Sequence, residues 1–215
     1  METFFSADTH FQHPAVLTHC ARPWDTVEEM DQALIDNWNG VVQKKDLVYL
    51  LGDFAWRDHR RFLQALKGKK ILIKGNHDKM PQVSYDQFTE VVSLKELKID
   101  KKLITLCHYP MFSWRNSCHG SWHAYGHVHN SPFRHPFLAL NVGVDVNEYK
   151  PVAWPDLKAS FEKKAEAMEE NDHHGGNPSQ TVKNLLRDIL DECRKDEISL
   201  QREKLQEMYE LLRNY

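Results

Sequence analysis

The sequence predicts an α/β domain with mixed sheets over residues 1–155, followed by a helical extension over 156–215. Two observations carry this. Short apolar runs, often β-branched or aromatic, alternate with amphipathic stretches and then follow one another directly, the pattern of strands with helices between them. After Pro155 the composition turns charged and the apolar spacing turns helical.

The strand candidates are Thr3–Ala7, Leu47–Leu51, Lys70–Lys74, Glu90–Leu94, Leu97–Asp100, Leu103–Cys107, His123–Gly126 and Phe137–Val142. A helix is predicted over Thr26–Asn39, with Val27, Met30, Leu34 and Trp38 on one face. Thr26 is its cap, with Glu29 three places on to complete a capping box. A second helix is predicted over Arg57–Leu66, with Phe62, Leu63 and Leu66 inward and Gly68 just past its end. A charged helix follows over Asp156–Asn171, then a breaker cluster from Asn171 to Ser179. Two further stripes, from Val182 to Cys193 and from Leu205 to Leu212, have helical spacing and no metal-ligand pattern. They read as a packing surface, on the domain or for a homo-oligomer.

Composition narrows the function classes. No stretch approaches 18 consecutive apolar residues, so no membrane helix is expected. Met1–Ser6 has no basic region ahead of a long apolar run, so no secretory signal is expected there. The four cysteines, Cys20, Cys107, Cys118 and Cys193, form no CxxC pair and read as reduced thiols of a cytoplasmic protein. Net charge is 28 − 31 = −3, which offers no support for a nucleic-acid grip. The unusual count is 13 histidines, and histidine is the commonest metal ligand.

Five short polar signatures sit at predicted strand ends: Asp8-Thr9-His10, Gly52-Asp53, Gly75-Asn76-His77-Asp78, His108, and Gly126-His127-Val128-His129. Ligand sites of open α/β sheets lie beyond the carboxyl ends of strands, so these should converge. Asp8 and His10, two apart, are expected on one side of an extended chain. The glycines suit sharp strand exits with unusual torsions. Two Asp, one Asn and four His are too many donors for one tetrahedral zinc. They suit two ions about 3.5–4 Å apart, the arrangement used for phosphoryl displacement.

The ordered set D-x-H, G-D, G-N-H-D, H, G-H-x-H resembles the calcineurin-like metallophosphoesterase superfamily over roughly residues 1–150. The resemblance implies a four-layer fold, with two mixed β-sheets packed as a sandwich and flanked by helices. It implies that Asp8, His10 and His129 hold one metal, that Asn76, His108 and His127 hold the second, and that Asp53 bridges them. It implies that His77 is no ligand but assists the leaving group, with Asp78 orienting it. The reaction implied is hydrolysis of a phosphodiester by a hydroxide bridging two divalent ions. Manganese is the first expectation; iron, zinc, cobalt and nickel also suit mixed O/N donors.

The chain departs from the protein Ser/Thr phosphatase branch at Trp56, where that branch has an acid, and at Asp78, where it has Glu. It looks closer to small bacterial and phage phosphoesterases, which carry D-T-H-F-x-H and a downstream R-P, here Asp8–His13 and Arg22-Pro23. Arg22 and Arg57 are candidates for phosphate contact. Trp114 and Arg115, in the segment linking two ligand-bearing strands, read either as part of a loop with buried aromatics, the first reading, or as candidates for stacking on or pairing with a nucleotide-derived substrate. Alternatives carried forward are a phosphomonoesterase, a nuclease, and a non-catalytic scaffold of the same fold.

Overall fold

The computed structural model describes residues 1–133 and 135–173, with side chains as far as residue 168. Strands β1 (Thr3–Ser6), β2 (Leu47–Leu50), β3 (Lys69–Ile73) and β4 (Glu90–Val92) run parallel, and β9 (Val152–Ala153) pairs antiparallel with β1. The order in this sheet is β4-β3-β2-β1-β9. The second sheet has the order β5-β6-β7-β8, from Leu94–Ile99, Lys102–Cys107, Trp122–Tyr125 and Ala139–Asn141. Its β5 and β6 are antiparallel, and the rest is parallel. Both sheets are therefore mixed, as predicted.

Alternation along the strands sorts the core. Phe5, Tyr49 and Ile71 are in register across β1, β2 and β3 and share a buried cluster with Ile104, Leu106, Trp122 and Ala124 of the second sheet. Their sequence neighbours Phe4, Val48 and Leu72 belong to a different cluster. That cluster includes Met30, Leu34 and Trp38 of helix α2 (Val27–Val41), and Phe62 and Leu63 of α3 (His59–Ala65). One sheet thus meets helices on one face and the other sheet on its opposite face. The second sheet's other face carries Tyr125 and Ala139 beneath Trp114, Met111 and Phe137, supplied by loops.

The helix ends follow local chemistry. Thr26 Oγ accepts from the Glu29 amide at 3.2 Å, and Glu29 returns a bond to the Thr26 amide at 3.3 Å, so the capping box forms. Helix α3 begins two residues later than predicted because Asp58 is left-handed, φ 51°. Helices α1 (Ala15–His19) and α4 (Gln82–Tyr85) and the two-residue β9 are too short to carry a readable period. Helix α5 spans Trp154–His173. Its first turns belong to the core: Trp154, Leu157 and Phe161 are buried, and Phe161 stacks on Trp122 at 4.5 Å. The first compact unit accordingly runs Met1–Phe161, and the next begins at Glu162, of which residues 162–173 continue α5. The stripes from Val182 to Cys193 and Leu205 to Leu212 lie outside the described residues. Among the described residues no helix is long and apolar enough to cross a membrane.

Candidate metal centre

The five signatures follow β1, β2, β3, β6 and β7, and the two sheets bring them together. Asp8 and His10 do not lie on an extended chain, contrary to the alternation argument. Their φ angles are 58° and 50°, and those of Asp53, His127 and His129 are 54°, 70° and 49°. Five candidate ligands thus occupy the left-handed region, where a non-glycine residue costs on the order of 1–3 kcal/mol. Tertiary bonds hold them there. The Asp8 amide donates to Gly52 O at 3.0 Å, the His10 amide to Asp53 O at 3.0 Å, and the His127 amide to the Asp8 carboxylate at 2.9 Å. Gly52 itself has φ 85°. At Gly126 the need is space rather than torsion: a Cβ would stand 2.6 Å from Asp8 Oδ2 and 2.5 Å from Ala7 Cβ.

Two clusters of donors frame the site, and a third group, Cys20, His129 and Asp145, shares His129 with the first. Ligand atoms of Asp8, His10 and His129 lie within 4.8 Å of one another, and so do those of Asp53, His108 and His127. Asp53 Oδ2 sits between them, 3.4 Å from His10 Nε2 and 3.5 Å from His108 Nε2. Asn76 Oδ1 is 3.0 Å from His108 Nε2. His108 Nδ1 lies 2.8 Å from Leu51 O, a bond that requires the proton on Nδ1. Its Nε2 then faces the oxygens of Asn76 and Asp53. Among the described residues His10 Nε2 is buried without a hydrogen-bond partner. Ring nitrogens and side-chain oxygens that converge in this way fit a divalent cation of mixed O/N preference.

Titration reflects the same surplus of donors. Burial, above all, pushes the Asp8 carboxyl up to about 8, against the pull of His129. Burial lowers His10 to about 2, helped by His129 and Arg22 nearby. For His129 burial works downward, but its bond to Asp145 and the charge of Asp8 prevail and raise it to about 10. His127 is lowered by burial and by His108. A metal ion would replace the protons that Asp8 and His129 retain, and the lowered His10 and His127 rings are already free of a second proton.

Several expected roles are corrected. Asp78 does not hold the His77 ring. Its Oδ2 accepts from the amides of Gly75 at 2.7 Å and Asp53 at 2.9 Å, and its Oδ1 from Phe54 at 2.9 Å. It ties the β3 exit to the β2 exit. Arg22 does not face substrate. Its guanidinium is buried and bonds Asp8 O at 2.6 Å, Thr9 O at 2.9 Å and both oxygens of Asp145. Trp114 is buried, with Nε1 donating to Ser121 Oγ at 2.9 Å and its ring against Phe137 and His135. Arg115 pairs with Glu96 of β5 at 3.1 Å, away from the donor clusters. Arg57 is exposed, and among the described residues no hydrogen bond or ion pair joins it to the donor clusters.

The sequence reading missed Asp145, whose Oδ2 meets His129 Nδ1 at 2.7 Å. Its only local signal was an acid soon after the β8 strand, behind Gly143. His77 borders the clusters, its amide donating to Asp53 Oδ1 at 2.9 Å and its ring 5.4 Å from that of His10. A cavity of about 500 Å³ opens from Asp53, Asn76 and His77 toward Val16, Cys20 and Ser131.

Comparison with known proteins agrees with this geometry. Residues 1–146 match the family described as calcineurin-like phosphoesterase. An uncharacterized protein of Methanocaldococcus jannaschii is 35% identical over 161 residues, covering 70% of this chain and 85% of its own. The gene 66 protein of Mycobacterium phage L5 is 37% identical over 82 residues, which span 35% of this chain and 39% of that protein. The crystal structure of a protein of unknown function from Aquifex aeolicus superposes with a TM-score of 0.62 at 25% identity, covering 74% of this chain and 98% of that one.

Proposed function

The chain belongs to the calcineurin-like phosphoesterase family, and on that premise we propose that it is a dinuclear metal-dependent phosphodiesterase of small, nucleotide-like substrates. The observation that carries the reading is Asp53 Oδ2 standing 3.4 Å and 3.5 Å from the ring nitrogens of two separate donor clusters. Asp8, His10 and His129 would hold one divalent ion, Asn76, His108 and His127 a second, and Asp53 both. Bound there, the ions supply charge against the phosphoryl oxygens and acidify an attacking water.

The chain's own residues do the rest. His77 gives a proton to the departing ester oxygen as its bond to phosphorus breaks. Asp145 fixes the His129 ring, and the Leu51 carbonyl fixes that of His108, so each turns its other nitrogen to the site. Asp78 fixes the loops that carry Asp53 and Asn76.

The cavity of about 500 Å³ beside His77 is large enough to take a small diester. Manganese is the proposed metal, with iron, zinc, cobalt and nickel compatible with the donors. Cys20, Cys107 and Cys118 are free thiols, in keeping with a cytoplasmic enzyme. The test is hydrolysis of bis(4-nitrophenyl) phosphate and 4-nitrophenyl phosphate with each metal, alongside Asp53→Ala. The proposal expects diester turnover that Asp53→Ala abolishes together with metal content. A metal-replete protein inert on both esters would return the chain to the scaffold reading.

A further inference from the structure

We infer that Trp56, backed by His13, is the positioning residue that holds the His77 ring in its working orientation. The inference rests on the leaving-group role given to His77 above. Among the described residues no hydrogen bond reaches the His77 ring; its polar link is through the main chain, to Asp53 Oδ1. Asp78, the expected orienter, is engaged by three backbone amides. His77 is exposed, and an exposed side chain with no partner exchanges rotamers on the picosecond to nanosecond scale. A proton donor must instead be held within reach of the atom it serves.

What does confine the ring is other rings. His10 lies 5.4 Å away, Trp56 5.9 Å and His13 6.0 Å, centroid to centroid. His10 has its own place in the donor cluster. Trp56 and His13 form the remaining wall and brace each other edge to face at 4.7 Å. The wall is anchored. The Trp56 amide donates to Phe11 O at 2.8 Å, and Phe11 bridges Ala55, so the loops bearing His10 and Asp53 also carry the wall. Trp56 is nonetheless 48% exposed, so core packing does not account for an indole at this position.

The test uses two diesters that differ only in leaving-group basicity, methyl phenyl phosphate and methyl 4-nitrophenyl phosphate. Phenolate needs a proton on departure, whereas nitrophenolate needs little help, and both present a benzene ring to the wall, the second with a para nitro group. Trp56→Ala is expected to lower kcat on the phenyl ester about tenfold or more and on the nitrophenyl ester about threefold or less, with KM steady. Trp56→Phe should restore most of the loss. In the metal-free protein, NMR contacts between the Trp56 and His77 rings should be present, and Trp56→Ala should raise the mobility of the His77 Cε1–Hε1 pair.

Equal losses on both esters, or a loss carried by KM, would make Trp56 a substrate wall and overturn the inference. So would a His77 ring whose mobility ignores Trp56→Ala. If wild-type protein hydrolyses neither ester, the proposed function falls. If it hydrolyses both and His77→Ala loses them equally, only the leaving-group role and this inference fall.

Discussion

Asp145 Oδ2 lies 2.7 Å from His129 Nδ1, and the same carboxylate, 1% exposed, is gripped by the fully buried guanidinium of Arg22. Arg22 in turn bonds the main-chain oxygens of Asp8 and Thr9. The end of β1 and the turn after β7 are therefore joined through one buried ion pair. The pair fixes the His129 tautomer, with the proton on Nδ1 and Nε2 free for a metal.

Asp145→Ala should weaken metal binding about 10–100-fold, because His129 loses its orienting partner. It should also cost about 3–5 kcal/mol, since the buried Arg22 charge is left uncompensated. Asp145→Asn keeps an acceptor for His129 and should lose less affinity. Calorimetric titration with Mn²⁺ and thermal melts measure both effects, and unchanged affinity in Asp145→Ala would refute the linkage.

Asp78→Ala should behave as a folding lesion rather than a titration lesion. Three amides, of Asp53, Phe54 and Gly75, would lose their acceptor. Each buried unpaired amide costs about 1–3 kcal/mol. A large fall in melting temperature is expected, with smaller loss in Asp78→Asn. Had Asp78 oriented the His77 ring, the variant would melt normally and show a shifted pH–rate profile.

The convergence of the candidate donors was legible because each follows a short apolar run that reads as a strand, and parallel strands put their exits at one end. What the sequence did not carry was pairing at a distance. Arg22 finds Asp145 across 123 positions, so an arginine near the D-x-H signature read as a substrate contact. Which of Trp114 and Trp56 lies open beside the site was hidden for a similar reason. Nothing local tells which indole is covered, and the loop after β6 folds Trp114 onto Tyr125 and Ala139 while Trp56 stays half open. The left-handed torsions of Asp8, His10 and Asp53 were also hidden, because such residues are forced there by neighbours rather than by their own preference.

Gly126→Ala should impair the site without touching a ligand. The new methyl would press on Asp8 Oδ2 and Ala7 Cβ at 2.6 Å and 2.5 Å, and both are buried. Overpacking of this kind costs about 1–3 kcal/mol and moves the carboxylate that the His127 amide holds. Reduced metal stoichiometry in a folded protein is the expected result. A fully loaded Gly126→Ala protein would show that the β7 exit has slack.

Stability should fall as pH rises in the metal-free protein and stay nearly level in the metal-loaded one. In the metal-free fold the Asp8 carboxyl titrates at about 8, against 3.8 for the ordinary group, and His129 at about 10, against 6.5. Between pH 6.5 and 8 the folded state thus keeps protons that the unfolded chain has released, so these two groups make stability fall as pH rises. His10, lowered to about 2, acts only below 6.5, where the unfolded ring gains a proton that the folded one refuses. Metal binding needs Asp8 ionised and the His129 Nε2 lone pair free, so affinity climbs over the same interval. The gap in melting temperature between Mn²⁺-loaded and chelator-treated protein should therefore widen from pH 6.5 to pH 8. A constant gap would mean that Asp8 and His129 release no proton on loading, and so are not the ligands that the metal displaces protons from.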